Sequence, residues 1–359
     1  NLNMTAQSIR PSGDFRTTYK ADTSLFDTPI ARNATVVFVA LVACSPLVLD
    51  GYFVSLMIQI GYLAIAALGL NILVGFSGQI SLGHGAFFGF GAFASAWINN
   101  TTGIPVFFAI PLAGLMTTAV GMIFGMPAAR IKGLYLAIAT LAAQFILEDF
   151  FIRAHWFTGG SSGSLANSMS IFGFVFDTDN RYFYIVLFYL VVLMMAASNL
   201  MRSRDGRALI AIRDQYLSAE IMGIHLTKYR VLAFGISSFY AGIAGALFGH
   251  YLGFVSAESF TILLSIQFLA MIIIGGLGSV MGSLLGTIFV VCLPEVIQWV
   301  VDGLVGFTGA GLGLKQALPF IKEMSIGAII ILFLIYEPNG LAYRWRMTKL
   351  YWKLFPFSY

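Results

Sequence analysis

Ser77, Gln79, Ser81 and His84 stand in the stretch GFSGQISLGHGAFFGFGAF, residues 75–93, which holds six glycines and no Asp, Glu, Lys or Arg. Two hydroxyls, a carboxamide and one imidazole can hydrogen-bond a small solute, and the imidazole can also carry a proton. They offer no paired carboxylates and no nucleophile beside a base. An isolated polar group in an apolar run needs a partner or water. Ser77, Gln79 and Ser81 are therefore candidates to line a solute pathway, with hydrogen bonding between helices as the competing role. His84, flanked by glycines, reads as a packing histidine on that wall in preference to a titrating gate.

The rest of the chain adds little chemistry. Its apolar runs hold Glu148 with Asp149, Glu295 after Pro294, and His250. There is no GxxxxGK[ST] phosphate loop, so the chain does not hydrolyse ATP itself. HExxH and GxSxG are absent too, and no pair of aspartates faces across two spans. Cys44 and Cys292 both lie in apolar runs and read as small hydrophobes, with no disulfide or metal role. This poverty fits a passive route driven by a partner.

The elements that position these residues must be membrane helices. Of 359 residues, 58% are hydrophobic and only 10% charged, with a mean hydropathy of +0.86. Residues 51–129 contain no Asp, Glu, Lys or Arg, long enough for three spans of about 20 residues with turns between. The runs are continuously apolar, which excludes a transmembrane barrel. The expected class is an all-α polytopic membrane protein of about ten spans, some short or broken. The runs are 34–49, 52–74, 77–98, 104–126, 133–152, 182–201, 231–252, 261–275, 277–301 and 317–336. The first is pinched at Pro46, and 261–275 is short for a full crossing.

With the N-terminus inside, sixteen of the twenty Lys and Arg fall on the cytoplasmic side. Arg153, Arg181, Lys315 and Lys322 remain outside, so the positive-inside rule sets both termini in the cytoplasm. Residues 1–33 then form a polar cytoplasmic tail, with no cleavable signal peptide visible. Residues 34–340 are the transmembrane domain and 341–359 a basic cytoplasmic tail.

Small residues let membrane helices approach. Gly85 and Gly89 have that spacing, as do Gly245 and Gly249, and Gly278, Gly282 and Gly286 are expected on one helical face. GFSG and IGGLGS cluster Gly with Ser where a helix can break, tolerated at membrane depth only inside protein or beside a wet cavity. The loop 202–230 is expected to form a short amphipathic helix. Leu209, Ile212 and Tyr216 recur at helical spacing, Ile210, Leu217 and Ile221 widen the stripe, and Gly223 stops it.

Taken in order, GFSGQISLGHGAFFGFGAF, RIKGLYLAIATLA, WFTGGSSG, the AIRD…AEIMGI…TKYR…AF loop, IIGGLGSVMGSLLGTIF, the Leu-Pro and Glu of 293–295, and EPNGL resemble the membrane permease subunits, LivM-type, of bacterial branched-chain amino-acid ABC importers. The resemblance spans roughly residues 50–341. It implies a multi-pass protein of the bacterial inner (plasma) membrane, paired with a second homologous permease and two ATP-binding subunits. An extracytoplasmic binding protein would deliver substrate. No cofactor belongs to this chain; ATP and Mg belong to the partner subunits. The resemblance makes 202–230 the coupling segment, carried by Arg213, Ala219, Glu220 and Gly223. The family's Glu-Ala-Ala…Gly signature is matched loosely, because the order here is Ala219 then Glu220.

Thr158, Gly159 and Gly160 fall in an outer loop suited to docking the binding protein, or to a plain turn. The function implied is import of branched-chain or other hydrophobic amino acids by alternating access. A permease of the same architecture for urea, short amides or small carboxylates, and a stand-alone channel or carrier, are the alternatives.

Overall fold

The computed structural model describes residues 29–354 apart from 132, 172–173 and 309–310. The tail expected over 1–33, with Arg10, Arg16 and Lys20, lies outside the described residues as far as 28, and so does Lys132.

Every expected span carries a helix. Helix α1, Pro29–Cys44, passes into a 3₁₀ turn at Ser45–Leu47 around the buried Pro46, the pinch expected there. Then follow α2 (Gly51–Asn71), α3 (His84–Thr102), α4 (Val106–Ala128), α5 (Leu134–Arg153) and α6 (Asp179–Arg202). Two short helices, α7 (Arg204–Asp214) and α8 (Tyr216–Ile221), precede α9 (Leu226–Leu252). The chain closes with α10 (Ile262–Gly275), α11 (Val280–Thr308), α12 (Gly311–Tyr336) and α13 (Gly340–Leu354).

Eight of the described helical segments are long and apolar enough to cross a membrane. The run Arg32–Leu47 is shorter. Helix α3 has 19 residues but carries His84, Asn99 and Asn100, and its apolar side chains are mostly buried inside the bundle.

Helix α9 is the hub, packed against α2, α3 and α4. Glycines make that packing close. Gly91 of α3 meets the backbone of Gly242 of α9, so a Cβ at 91 would overlap it, and Gly245 meets the Phe88 carbonyl in the same way. Lipid is as apolar as the helix surfaces, so contact area gained by small residues does the work that water exclusion does elsewhere. Phe88, Phe93, Phe151, Phe260 and Phe268 fill the space between α3, α5 and α10 and are fully buried. Helix α12 stands at the edge, with none of its apolar stretch Leu318–Tyr336 buried.

Gly278 departs from expectation. It does not share a helical face with Gly282 and Gly286; it lies between α10 and α11 with φ +74°, a conformation that a side chain would strain. Gly282 and Gly286 instead pack against Gly275 across the hairpin these helices make.

Candidate functional site

The helix breaks fall where GFSG and IGGLGS suggested. After Asn71 the chain widens into a π-helical turn, Ile72–Phe76. The Gly78 amide then donates to the Val74 carbonyl at 3.1 Å and the Gln79 amide to the Leu73 carbonyl at 3.1 Å. Residues 80–83 run without helical bonds until α3 starts at His84. A helix start inside a bundle leaves amides without partners, and neighbouring side chains accept from them. The Leu82 amide donates to Thr140 Oγ1 at 3.0 Å, Gly85 to Ser265 Oγ at 2.8 Å and Ala86 to Gln144 Oε1 at 2.9 Å. Gln144 also donates to Glu148 at 2.8 Å and to the Phe260 carbonyl at 2.9 Å, and its Oε1 accepts from Ser265 Oγ of α10 at 3.1 Å, so α3, α5 and α10 meet at one amide.

The four polar residues of this stretch are all buried. Ser77 Oγ donates to the Leu73 carbonyl at 2.7 Å and accepts from Gln79 Nε2 at 2.8 Å. Gln79 Nε2 also reaches the Arg230 carbonyl at 3.4 Å. Gln79 Oε1 is buried without a hydrogen-bond partner among the described residues. Ser81 Oγ accepts from the Gly83 amide at 3.4 Å. His84 Nε2 donates to the Ala66 carbonyl at 2.8 Å, and its ring meets Phe268 edge-on at 5.5 Å. Both contacts are those of a packing histidine.

The second break, Gly276–Ser279, lies against the first. Asn71 joins them: its Nδ2 donates to the Ser279 carbonyl and to Ser283 Oγ, each at 2.8 Å, and its Oδ1 accepts from the Gly278 amide at 2.9 Å. Arg213, at the end of α7, donates from Nη1 to the Gly75 carbonyl at 2.7 Å and from Nε to Asp214 at 2.8 Å. Sequence reasoning passed over Asn71. The available signal was that it is the one Asn in the apolar run 51–98.

The single amphipathic helix expected over 202–230 is two. Gln215, with φ −151° and ψ 87°, divides α7 from α8. The bend keeps Leu209 and Ile212 buried but turns Leu217 and Ile221 outward, 56% and 86% exposed. Ala219 is buried, whereas Glu220 and Gly223 edge an open cleft of about 840 Å³. Arg130, His225, Lys228 and Arg230 also line that cleft. Gly223 ends α8 as expected, at φ +84° with its amide on the Glu220 carbonyl at 3.0 Å.

At the opposite end of the bundle, Thr158 is buried and holds its own loop together. Its Oγ1 donates to the Phe151 carbonyl at 2.6 Å and accepts from the Gly160 amide at 3.0 Å. Gly159 and Gly160 both have positive φ, and Gly160 is buried against His155. The surface this turn presents belongs to neighbours: Trp156 is 72% and Leu165 69% exposed. Below it, His250 donates from Nδ1 to the Asn167 carbonyl and accepts at Nε2 from Ser95 Oγ, each at 2.8 Å. The strand pair β1 (Ser164–Leu165) and β4 (Phe254–Val255) closes this cap, and β2 (Met169–Ile171) pairs with β3 (Phe174–Phe176) beside it. Among the described residues no cluster of His, Cys, Asp and Glu could hold a metal ion.

Comparison with known proteins identifies the family. Residues 52–334 match the family described as branched-chain amino acid transport system / permease component. The high-affinity branched-chain amino acid transport system permease protein LivM of Salmonella typhimurium is 33% identical over 77% of this chain and 67% of its own length. A probable LivM of Methanocaldococcus jannaschii is 28% identical over 80% and 88%. The permease protein LivH of Salmonella typhimurium is 22% identical over 80% and 92%. No solved structure matches. With the match covering most of the transmembrane domain, the chain belongs to the branched-chain amino acid transport system permease family.

Proposed function

We propose that this chain is the transmembrane subunit of an ATP-driven importer in the inner membrane, passing branched-chain or other hydrophobic amino acids to the cytoplasm. It is not itself catalytic. Relatives named LivM and LivH are both permeases of such systems, which supports pairing with a second homologous permease. Two ATP-binding subunits sit beneath the pair, and a binding protein delivers solute from outside. The chain crosses ten times with both termini inside, the orientation supported by its Lys and Arg distribution.

One observation supports the mechanism: the polar break at 77–83 is buried inside the bundle, next to the Gly75 carbonyl that Arg213 of α7 holds, and α7–α8 is the segment proposed to face the ATP-binding subunits. Alternating access requires groups whose partners differ between two conformations. Gln79 Oε1 is such a group. A buried acceptor without a partner costs about 1–3 kcal/mol, so a conformation or solute that supplies a donor is favoured by that amount. Ser77 and Ser81 line the same wall, and His84 holds it to α2. Glu220 and Gly223, with exposed Leu217 and Ile221 and the basic cleft beside them, receive the ATP-binding subunit, while buried Ala219 seats α8 on the bundle. The outer turn built by Thr158, Gly159 and Gly160 presents Trp156 and Leu165 to the binding protein.

The test is reconstitution of the complete complex in proteoliposomes. ATP hydrolysis should rise when its binding protein is loaded with leucine. A response to urea or a short amide alone would reassign the solute. Uptake by this chain alone, without ATP-binding subunits or ATP, would overturn the importer reading.

A further inference from the structure

Asn71 and Arg213 tie the two helix breaks to each other and to α7. All three hydrogen-bonding positions of the Asn71 amide engaged here point to the second break: two donors on Ser279 and Ser283, one acceptor on Gly278. Asn71 is fully buried at the last residue of α2, so its bonds have no competition from water. The Gly75 carbonyl has lost the partner it would have in an α-helix, because the Gln79 amide turns to Leu73. Arg213 Nη1 fills that place at 2.7 Å. A guanidinium bond to a carbonyl is charge-assisted and about twice as strong as a neutral one.

The glycines here leave room for these two side chains. A Cβ at Gly75 would overlap Asn71 Oδ1 and the Gly278 amide, and one at Gly78 would lie 2.9 Å from Arg213 Cγ. One at Gly278 would lie 3.0 Å from Arg213 Nη1 and 3.2 Å from the Gly75 carbonyl. Helix α7 is also seated on the first break, since Leu209 shares a small apolar cluster with Leu73, Leu136, Ala233 and Phe234. A shift of α7 must therefore carry Gly75 with it or break the Arg213 bond, and Asn71 passes the shift to Gly278. Ser77 and Gln79 are the next polar residues along the chain.

We infer that Asn71 and Arg213 are positioning residues that transmit movement of the α7–α8 segment to both helix breaks together. The inference rests on the importer reading. Arg213 does not need to touch the ATP-binding subunit in this role; its partner is the Gly75 carbonyl of its own chain.

The experiment uses the complete importer in proteoliposomes, with Arg213→Ala, Arg213→Lys and the Arg213→Ala/Asn71→Ala double variant. Arg204→Ala, an exposed charge on the same helix, is the control. Three readouts are taken: copurification of the ATP-binding subunits, leucine-stimulated ATP hydrolysis, and leucine taken up per ATP. Arg213→Ala should keep assembly and hydrolysis while uptake per ATP falls about tenfold, inside the ~5- to 150-fold range of typical coupling between sites. Arg213→Lys, which keeps the charge, should restore part of the loss. The double variant should be no worse coupled than Arg213→Ala, because both act in one device.

A second measurement does not depend on turnover. A cysteine at Leu277, 53% exposed in the second break, is labelled by an impermeant thiol reagent after Cys44 and Cys292 are replaced. Its labelling rate should change with ATP in the parent and stop responding in Arg213→Ala. Wild-type uptake per ATP in Arg213→Ala, or an unaltered ATP response at position 277, overturns the inference. Loss of the ATP-binding subunits from Arg213→Ala alone overturns it too, by making Arg213 a docking residue. If the parent complex shows no leucine-stimulated hydrolysis, the importer reading fails instead, and the labelling result still decides whether α7 and the second break are linked.

Discussion

The two ends of the bundle are fastened by different chemistry. At the end proposed to face outward, His250 sits between Ser95 and the Asn167 carbonyl with both ring nitrogens engaged, and the β1–β4 pair lies over it. Every partner there is neutral, and Ser95 and His250 are buried. At the end proposed to face the cytoplasm, the bond that closes the first break comes from a charged side chain about one-third exposed, reaching a backbone carbonyl from a surface helix. Neutral buried networks lock a geometry; a long, partly exposed cation can hold a joint through a range of positions. On this contrast the end around His250 is expected to keep its geometry through the transport cycle and the end around Arg213 to rearrange.

The largest expected effect comes from breaking what both ends share, the close approach of α3 and α9. Gly91→Leu would drive a side chain into the Gly242 backbone. The cost should exceed the about 1–3 kcal/mol usual for overpacking, because backbone rather than a side chain must yield. Folded protein recovered from the membrane should drop close to nothing by size-exclusion chromatography. Normal yield would mean the helices are further apart.

Next, His250→Phe sharpens the contrast. It leaves Ser95 and the Asn167 carbonyl without a partner, at about 1–3 kcal/mol for each buried group. Thermal unfolding in detergent should occur at lower temperature, while leucine uptake per ATP stays at the parent value. A fall in that ratio without a fall in stability would show that the outer network also transmits movement.

At the outer surface, Trp156→Ala should weaken binding-protein association about thirtyfold, the order expected for a central aromatic anchor worth about 2 kcal/mol. Surface plasmon resonance on the complex in nanodiscs measures this. Unchanged affinity would move the docking site away from the Thr158–Gly160 turn.

The smallest effect concerns Glu337, which pairs with Arg344 between α12 and α13. The hydrogen bond from Arg344 holds this carboxyl below its ordinary value of 4.5. A lowered folded value means the contribution is present above 4.5 and lost as pH falls through the lowered value. Glu337→Gln should remove a shallow acid-side decline in thermal stability and leave neutral pH almost untouched. An unchanged acid limb in the variant would show that the pair contributes nothing.

The helices were legible because apolar runs and helix length obey one physical rule: each of the ten runs carries a helix, and eight described helical segments are long and apolar enough to cross a membrane. Both breaks were legible too, since clustered Gly and Ser mark where a helix can open. The contacts between them were not. Arg213 meets a backbone carbonyl 138 residues away, and carbonyls carry no sequence identity. Asn71 lies inside the apolar run 52–74 and was passed over, because its partners are 207–212 residues distant. Gln144 was invisible for the same reason, its partners being the amide at Ala86 and the carbonyl at Phe260. In the loop after α5 the glycines stood out in the sequence; Gly159 and Gly160 both take positive φ and Gly160 is buried, while Trp156, which the sequence did not single out, is the exposed aromatic beside them. The division of 202–230 at Gln215 was hidden because Leu217 and Ile221 continue the apolar stripe while the backbone turns it outward.

Hydrogen exchange on the complete importer, with and without ATP, tests the central claim most directly. Amides of Gly78, Gln79 and Gly278 should change protection with nucleotide, and those of Ala166 and Gly253 at the outer cap should keep theirs. Nucleotide-dependent exchange at the outer cap with static protection at both breaks would contradict the account.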